Sequence, residues 1–260
     1  MKKALFILAT LIALTSCGSK YSIQGSSNVP TLDGHKLYLK VLDEDNLKNI
    51  DSCEVIHGQF HFKGSIDSPT MAHLYMDEAN IMPLVLEDGE IQIKIDLTQQ
   101  AVSGTPLNDE LFSFLNRYNQ ILSERGELVH KHDQAIMDGS NMEVVNAALI
   151  VEERQLAIRE DSLVTNFVTS NFDNVLGPGV FFMMTVSNQY PQLDPWIEDI
   201  MSKATDSFKN DPYVKDYYEK AQENEKIMNG LRDVSPQATA DPSATPAPTA
   251  TPNDLAKPQP

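Results

Sequence analysis

Two cysteines, six histidines and several adjacent carboxylates are the side chains of this 260-residue chain that could do chemistry. Cys17 is the most informative. It closes Leu14-Thr15-Ser16-Cys17, a lipobox, behind a Lys2-Lys3 start and a charge-free, largely apolar run from Ala4 to Leu14. A basic start, a short apolar core and small residues before the cut are what a secretory signal needs. The run is too short for a bilayer span, which takes roughly 20 apolar residues. The expectation is that residues 1–16 are removed, and that Cys17 becomes the diacylated, palmitate-bearing N-terminus of a bacterial lipoprotein on a tether of residues 17–20.

With Cys17 consumed by lipid, Cys53 has no partner for an internal disulfide. An exposed thiol in an oxidising compartment would be a liability unless it were functional. Cys53 shares a face with Val55 in Ser52-Cys53-Glu54-Val55-Ile56, which predicts a core-facing, inert cysteine, with a reactive thiol as the competing reading.

The remaining candidates do not converge. His57 and His61 in one strand would stand about 13 Å apart, and His57 reads better as a turn residue. His130 and His132, two apart in a helix, point to different faces. No metal site is expected, because zinc needs ligands converging at about 2 Å. Glu152-Glu153 and Asp43-Glu44-Asp45 read as solvated carboxylates; acid and base work needs a pair held in contrasting environments. Gly177-Pro178-Gly179 lacks the pattern of a phosphate loop and reads as a breaker. No catalytic residue and no cofactor is expected.

Composition sets outer limits. The formal charge of −17 becomes still more negative without Lys2 and Lys3. That excess of Asp and Glu argues against nucleic acid and against electrostatic docking on anionic lipid, both of which require Lys and Arg clusters. The mature length suffices for one large domain or two modest ones.

Three compositions follow one another along the chain. Residues 21–106 read as an antiparallel β unit, a sandwich or open barrel, the first part of an α+β chain. Lys36 to Leu42 is rich in strand formers, Phe60 and Phe62 alternate with Gln59, His61 and Lys63, and Ile91, Ile93, Ile95 and Leu97 share one face. Asp33-Gly34, His57-Gly58 and Asp88-Gly89 supply the positive φ angles of tight turns. Pro69 and Pro83 belong at strand starts or edges.

Residues 107–232 change to a helical period. Asn108 is placed to cap a helix whose stripe is Leu111, Phe114, Leu115, Tyr118, Ile121 and Leu122, with Asp109 and Glu110 in its first turn. Asp138-Gly139-Ser140-Asn141 breaks it. A second helix is predicted from about Met142 to Ser170, carrying Val145, Leu149, Leu156, Leu163 and Phe167, so that the two form an αα-hairpin. A short apolar helix over residues 180–186, one after Asp194-Pro195-Trp196, and one from Pro212 to Met228 complete the bundle. Residues 233–260 hold seven prolines and almost no large apolar side chain, a composition that cannot offset its ordering entropy and predicts a disordered tail.

At the level of these spaced turns the stretch from Ile50 to Gly64, with Pro69-Thr70, Gly104-Thr105-Pro106-Leu107-Asn108 and Asn174-Val175-Leu176-Gly177, shows a family likeness. It resembles the domain of unknown function that precedes thioredoxin-like domains in many Bacteroidota lipoproteins, over roughly residues 21–230. The enzymatic members resemble disulfide reductases that work through a Cys-x-x-Cys in a C-terminal thioredoxin fold. This sequence has no Cys-x-x-Cys, so that chemistry transfers to no residue here. Asp161-Ser162-Leu163 resembles the O-glycosylation sequon of the same bacterial group, which makes Ser162 a candidate acceptor, although a helix interior is a poor place for one.

The expected function is therefore a non-catalytic envelope lipoprotein that binds a protein or peptide, with edge strands available for an added strand. The alternative is a membrane-anchored accessory subunit of a thiol-disulfide system whose thioredoxin-like domain is on another chain. Gly18-Ser19-Lys20 carries neither an Asp at the second mature position nor an acidic export cluster. Attachment to the outer membrane facing the periplasm is the expected location, with the lipid as the membrane contact.

Overall fold

The computed structural model describes residues 19–43 and 46–230. The expected signal sequence of residues 1–16, the expected lipidation site Cys17 and the Pro-rich segment from 233 to 260 lie outside the described residues. Eight strands come first: β1 (Ser19–Ser27), β2 (Lys36–Asp43), β3 (Asn46–Glu54), β4 (Gln59–Ile66), β5 (Thr70–Met76), β6 (Ala79–Leu86), β7 (Gly89–Ile95) and β8 (Gln100–Ser103), with one 3₁₀ turn at Pro30–Leu32. They form two four-stranded sheets, in the orders β4-β1-β7-β8 and β3-β2-β5-β6. No hydrogen-bonded ladder joins the sheets, so the unit is open rather than a closed barrel.

Period-two alternation builds the core. Ile23, Phe60, Phe62, Ile91, Ile93 and Ile95 of the first sheet are buried, as are Leu37, Leu39, Ala72, Leu74, Leu84 and Leu86 of the second. Gly25 makes room for the Phe60 ring, which any Cβ there would strike. Phe60 in turn meets Phe62 edge-on at 6.2 Å between ring centroids.

Two sequence expectations about the strands need correction. The sheets are not wholly antiparallel, because β1 pairs in parallel with β7 from Tyr21 opposite Gly89 to Ser27 opposite Ile95. The first strand enters the middle of its sheet: β4 returns antiparallel on one side of it, and β7 reaches its other side only after β5 and β6 have completed the second sheet. Leu97 does not join the buried row either. β7 ends at Ile95, the chain turns at Asp96, whose N–H donates to the Gln99 carbonyl, and Leu97 is left exposed. Pro83 does lie in an edge strand, β6, where its missing N–H breaks no central ladder.

The helices are α1 (Pro106–Met137), α2 (Met142–Ser170), α3 (Leu176–Thr185), α4 (Pro195–Lys203), the single turn α5 (Asp206–Lys209) and α6 (Pro212–Met228). Asn141, the last residue of the break, caps α2, accepting from the Glu143 N–H at 3.1 Å. Antiparallel α1 and α2 meet through Phe114, Ile121, Leu128, Leu156 and Leu163, all buried. Ion pairs flank that seam: Arg125 with Glu153 at 3.0 Å and Glu160 at 2.6 Å, and Lys131 with Glu152 at 2.5 Å. Exposed pairs of this kind contribute about 0–1 kcal/mol each, so the apolar stripe holds the hairpin. Leu122, assigned to that stripe from its spacing, is turned out to solvent.

Asn108 and the Gly-Pro-Gly segment also differ from expectation. Thr105, not Asn108, stands at the N-cap of α1. Gly177, Pro178 and Gly179 lie inside the first turn of α3 rather than before it, where Pro is tolerated because the N–H it lacks has no helical partner. Gly177 is buried against the Asn171 backbone, and Gly179 allows α3 onto Met71 of the second sheet. Farther on, Phe181 is the hub of an aromatic cluster, with Trp196 stacked at 5.7 Å and Phe208 and Tyr217 edge-on at 5.6 and 5.5 Å.

Candidate functional site

The two lateral edges of the β unit are treated differently. On one side, β6 and β8 are covered by α1, and the fastening is Asn108. Its side chain accepts the Val85 N–H at 2.9 Å and donates to the Val85 carbonyl at 2.7 Å. It thereby satisfies both backbone groups of an edge-strand residue as a neighbouring strand would. The Asn108 amide also donates to the Thr105 hydroxyl, and the Asn108 N–H donates to Glu87. Val85 is as buried as Leu84 and Leu86 on either side of it, and α3 packs on its cross-strand neighbour Met71.

On the other side, the outermost strands β3 and β4 are left uncovered by any helix. A cleft of about 720 Å³ opens between the sheets there, with Tyr21, Val41, Ile66 and Leu86 toward its floor and Lys48, Asp51, Lys63 and Asp67 along its rim. The outer end of β3 is the most exposed strand segment of the molecule, residues 46–50 all facing solvent, with Leu47 and Ile50 among them. Tyr21 at the floor has its phenol pKa raised, first by burial and then by the Asp51 charge. An apolar floor between two free strand edges can take an extended chain, whose backbone would pair with an edge while alternate side chains enter the cleft.

Cys53 does not line this cleft; it lies two residues beyond Asp51 of the rim, on β3 opposite Leu37. It is half-buried and packs on the core, on the side of the strand that its alternation with Val55 implies. Burial is the main cause that pushes its thiol up to about 11; the Asp51 charge adds to this, and a backbone hydrogen bond from His61 opposes it. Such a thiol carries almost no thiolate at neutral pH, and the thiolate is the nucleophile. His57 sits in the turn, at φ 52°, and His61 is exposed on β4. Among the described residues no three His, Cys, Asp or Glu side chains are grouped as metal ligands would be.

A second concavity, of about 640 Å³, lies between α1 and α2. Phe114 and Phe167, with ring centroids 4.4 Å apart, form its floor together with Ile121 and Leu163. Arg117, Arg159 and Glu110 supply its charges. Ser162, the candidate glycan acceptor, is exposed on its rim. The sequence reading did not single out this groove, because its two walls belong to helices more than 40 residues apart at their far ends and no local motif links them.

Fold and site together define an open two-sheet β unit with a helical bundle fastened over one edge. Residues 21–111 match a domain of unknown function, DUF4369, so the chain contains a DUF4369 domain. No curated protein matches the chain. The matched segment covers the strands from β1 to β8 and ends in the second turn of α1, one residue triplet past Asn108. It thus includes the cleft, the covered edge and its fastening. Among the described residues no helix is long and apolar enough to cross a membrane.

Proposed function

We propose that this protein is a non-catalytic, lipid-anchored accessory protein of the bacterial envelope that binds an extended segment of a partner protein in the cleft between β3 and β4. The observation that carries the reading is the asymmetry of the two edges. One is sealed by α1 through Asn108, while the other leaves two free strands around an apolar floor. Natural sheets usually protect such edges, and here Lys48 and Lys63 on the rim discourage sheet-to-sheet aggregation without filling the cleft.

The lipid on Cys17 would be the anchor, with the outer membrane facing the periplasm as the location. β1 begins at Ser19, opposite Ile66, which lines the cleft. Two residues span at most ~7 Å, so a lipidated Cys17 would hold this corner of the cleft close to the bilayer and favour a partner at the membrane surface. The role of accessory subunit to a separately encoded thioredoxin-like protein is one form of this function. In it Cys53, with its thiol pKa near 11, would contribute position rather than thiol exchange.

The test is a photo-crosslinking side chain installed in living cells at Ser65, exposed on β4 beside the cleft, and at Lys215, exposed on α6, each with and without Cys17→Ala. The reading expects one envelope protein joined through Ser65 alone, through an extended segment, and lost when the lipid is removed. Identical products from both positions would overturn it.

A further inference from the structure

The groove between α1 and α2 is an electrostatic exception within this chain. The protein carries a formal charge of −17, yet the groove is lined by two arginines and a single carboxylate. Arg159 is engaged by Glu124. Arg117 is exposed and, among the described residues, has neither a hydrogen bond nor an ion-pair partner. In so acidic a protein, a guanidinium without a carboxylate partner beside an aromatic floor has the fork geometry to pair with an anionic group.

The opposite pole is Glu110. It and Arg117 stand seven residues apart on α1, two turns along one face, which is about 10.5 Å of helix. Phe114 lies between them on the same face, with Phe167 of α2 beside it. Glu110 accepts one hydrogen bond, from the Asn171 side chain at 2.7 Å, and a carboxylate has room for several. A carboxylate, an apolar patch and a free guanidinium thus follow one another over about 10 Å, the length of three extended residues.

We propose that this groove binds a short peptide with both termini free, of about three residues with an apolar side chain in the middle. Its α-amino group pairs with Glu110, its side chain rests on Phe114 and Phe167, and its α-carboxylate pairs with Arg117. The volume of about 640 Å³ lies within the ordinary range for small-ligand sites. This site is separate from the β3/β4 cleft, and it stands whether or not that cleft binds a partner.

Calorimetric titration of the protein with the tripeptide Ala-Leu-Ala tests it, against the same peptide acetylated at its N-terminus, amidated at its C-terminus, or carrying Ser in place of Leu. One-to-one binding is expected, weakened at least about tenfold by amidation and to the same extent by Arg117→Gln, as loss of a charge-assisted hydrogen bond implies. The two changes together should cost no more than either alone, because they remove one contact. Acetylation and Glu110→Gln should behave as the matching pair, and Gln keeps the acceptor that Asn171 uses. Arg117 is exposed, so its variant keeps the fold, which circular dichroism verifies. Absence of saturable binding, or equal binding by the free and capped peptides, would overturn the proposal.

Discussion

Asn108 is where one side chain does most to join two parts of the fold. It satisfies the N–H and the carbonyl of Val85 at once and is itself fully buried. Asn108→Ala would strand both groups under α1, at about 1–3 kcal/mol for each buried group left unpaired. We expect urea unfolding to show a loss of about 3 kcal/mol, with an unchanged dependence on denaturant if α1 stays in place. A loss below about 1 kcal/mol would show that water enters and that the fastening is weak. In the sequence this residue looked like a helix cap, because Asn before an apolar stripe is what a cap looks like. Its true partner is 23 residues away, and nothing local distinguishes an amide that closes a helix from one that closes a sheet.

The two long helices were the most legible elements. The break at 138–141 and the apolar spacing on either side specify the αα-hairpin, since a 3.6-residue period survives whatever packs on it. α3 was misread at its start because glycines were taken as breakers, whereas Gly177 is there for contact. A Cβ on it would collide with the Asn171 carbonyl. Gly177→Ala should therefore destabilise the protein by about 1–3 kcal/mol through overpacking, although Ala gains up to about 1 kcal/mol of helix propensity. Thermal unfolding decides the sign: a raised midpoint would show that α3 and the end of α2 separate at little cost. Ser187→Ala, exposed just after α3, is the neutral comparison.

The titrating groups act at the scale of the whole molecule. Burial, the main cause, lowers His73 from its ordinary 6.5, with a hydrogen bond to Asn80 opposing it. Burial raises Cys53 from 9.0 to about 11, and raises Tyr21, Tyr118 and Tyr213 above 10.0. A histidine whose pKa is lower folded than unfolded contributes stability above about 6.5 that is lost as the pH falls through its folded value. A thiol or phenol whose pKa is higher folded contributes stability that is complete below its unfolded value and lost as the pH rises through the folded one. Stability should therefore hold between about pH 6.5 and 9 and decline on both sides. Urea midpoints across pH 5 to 11 measure this, with Cys53→Ser expected to soften the alkaline limb. A midpoint still rising at pH 10 would contradict it.

The sequence by itself determined the elements whose signal is local: the alternating strands, the glycine turns, the two long helices and the absence of a Cys-x-x-Cys. Each depends on neighbours within a few residues, where periodicity and turn chemistry act. Tertiary structure alone decided which strands became edges and which edge was covered. The parallel pairing of β1 with β7 joins residues nearly 70 positions apart, and the seating of α1 on β6 through Asn108 left β3 and β4 open on the far side. The groove between α1 and α2 is of the same kind, since Glu110 and Arg117 are unremarkable helix-surface residues until Phe167 arrives from α2 to complete an apolar floor between them. Burial and closure are properties of what packs on a residue, and a local pattern names the face that must be covered without naming what covers it.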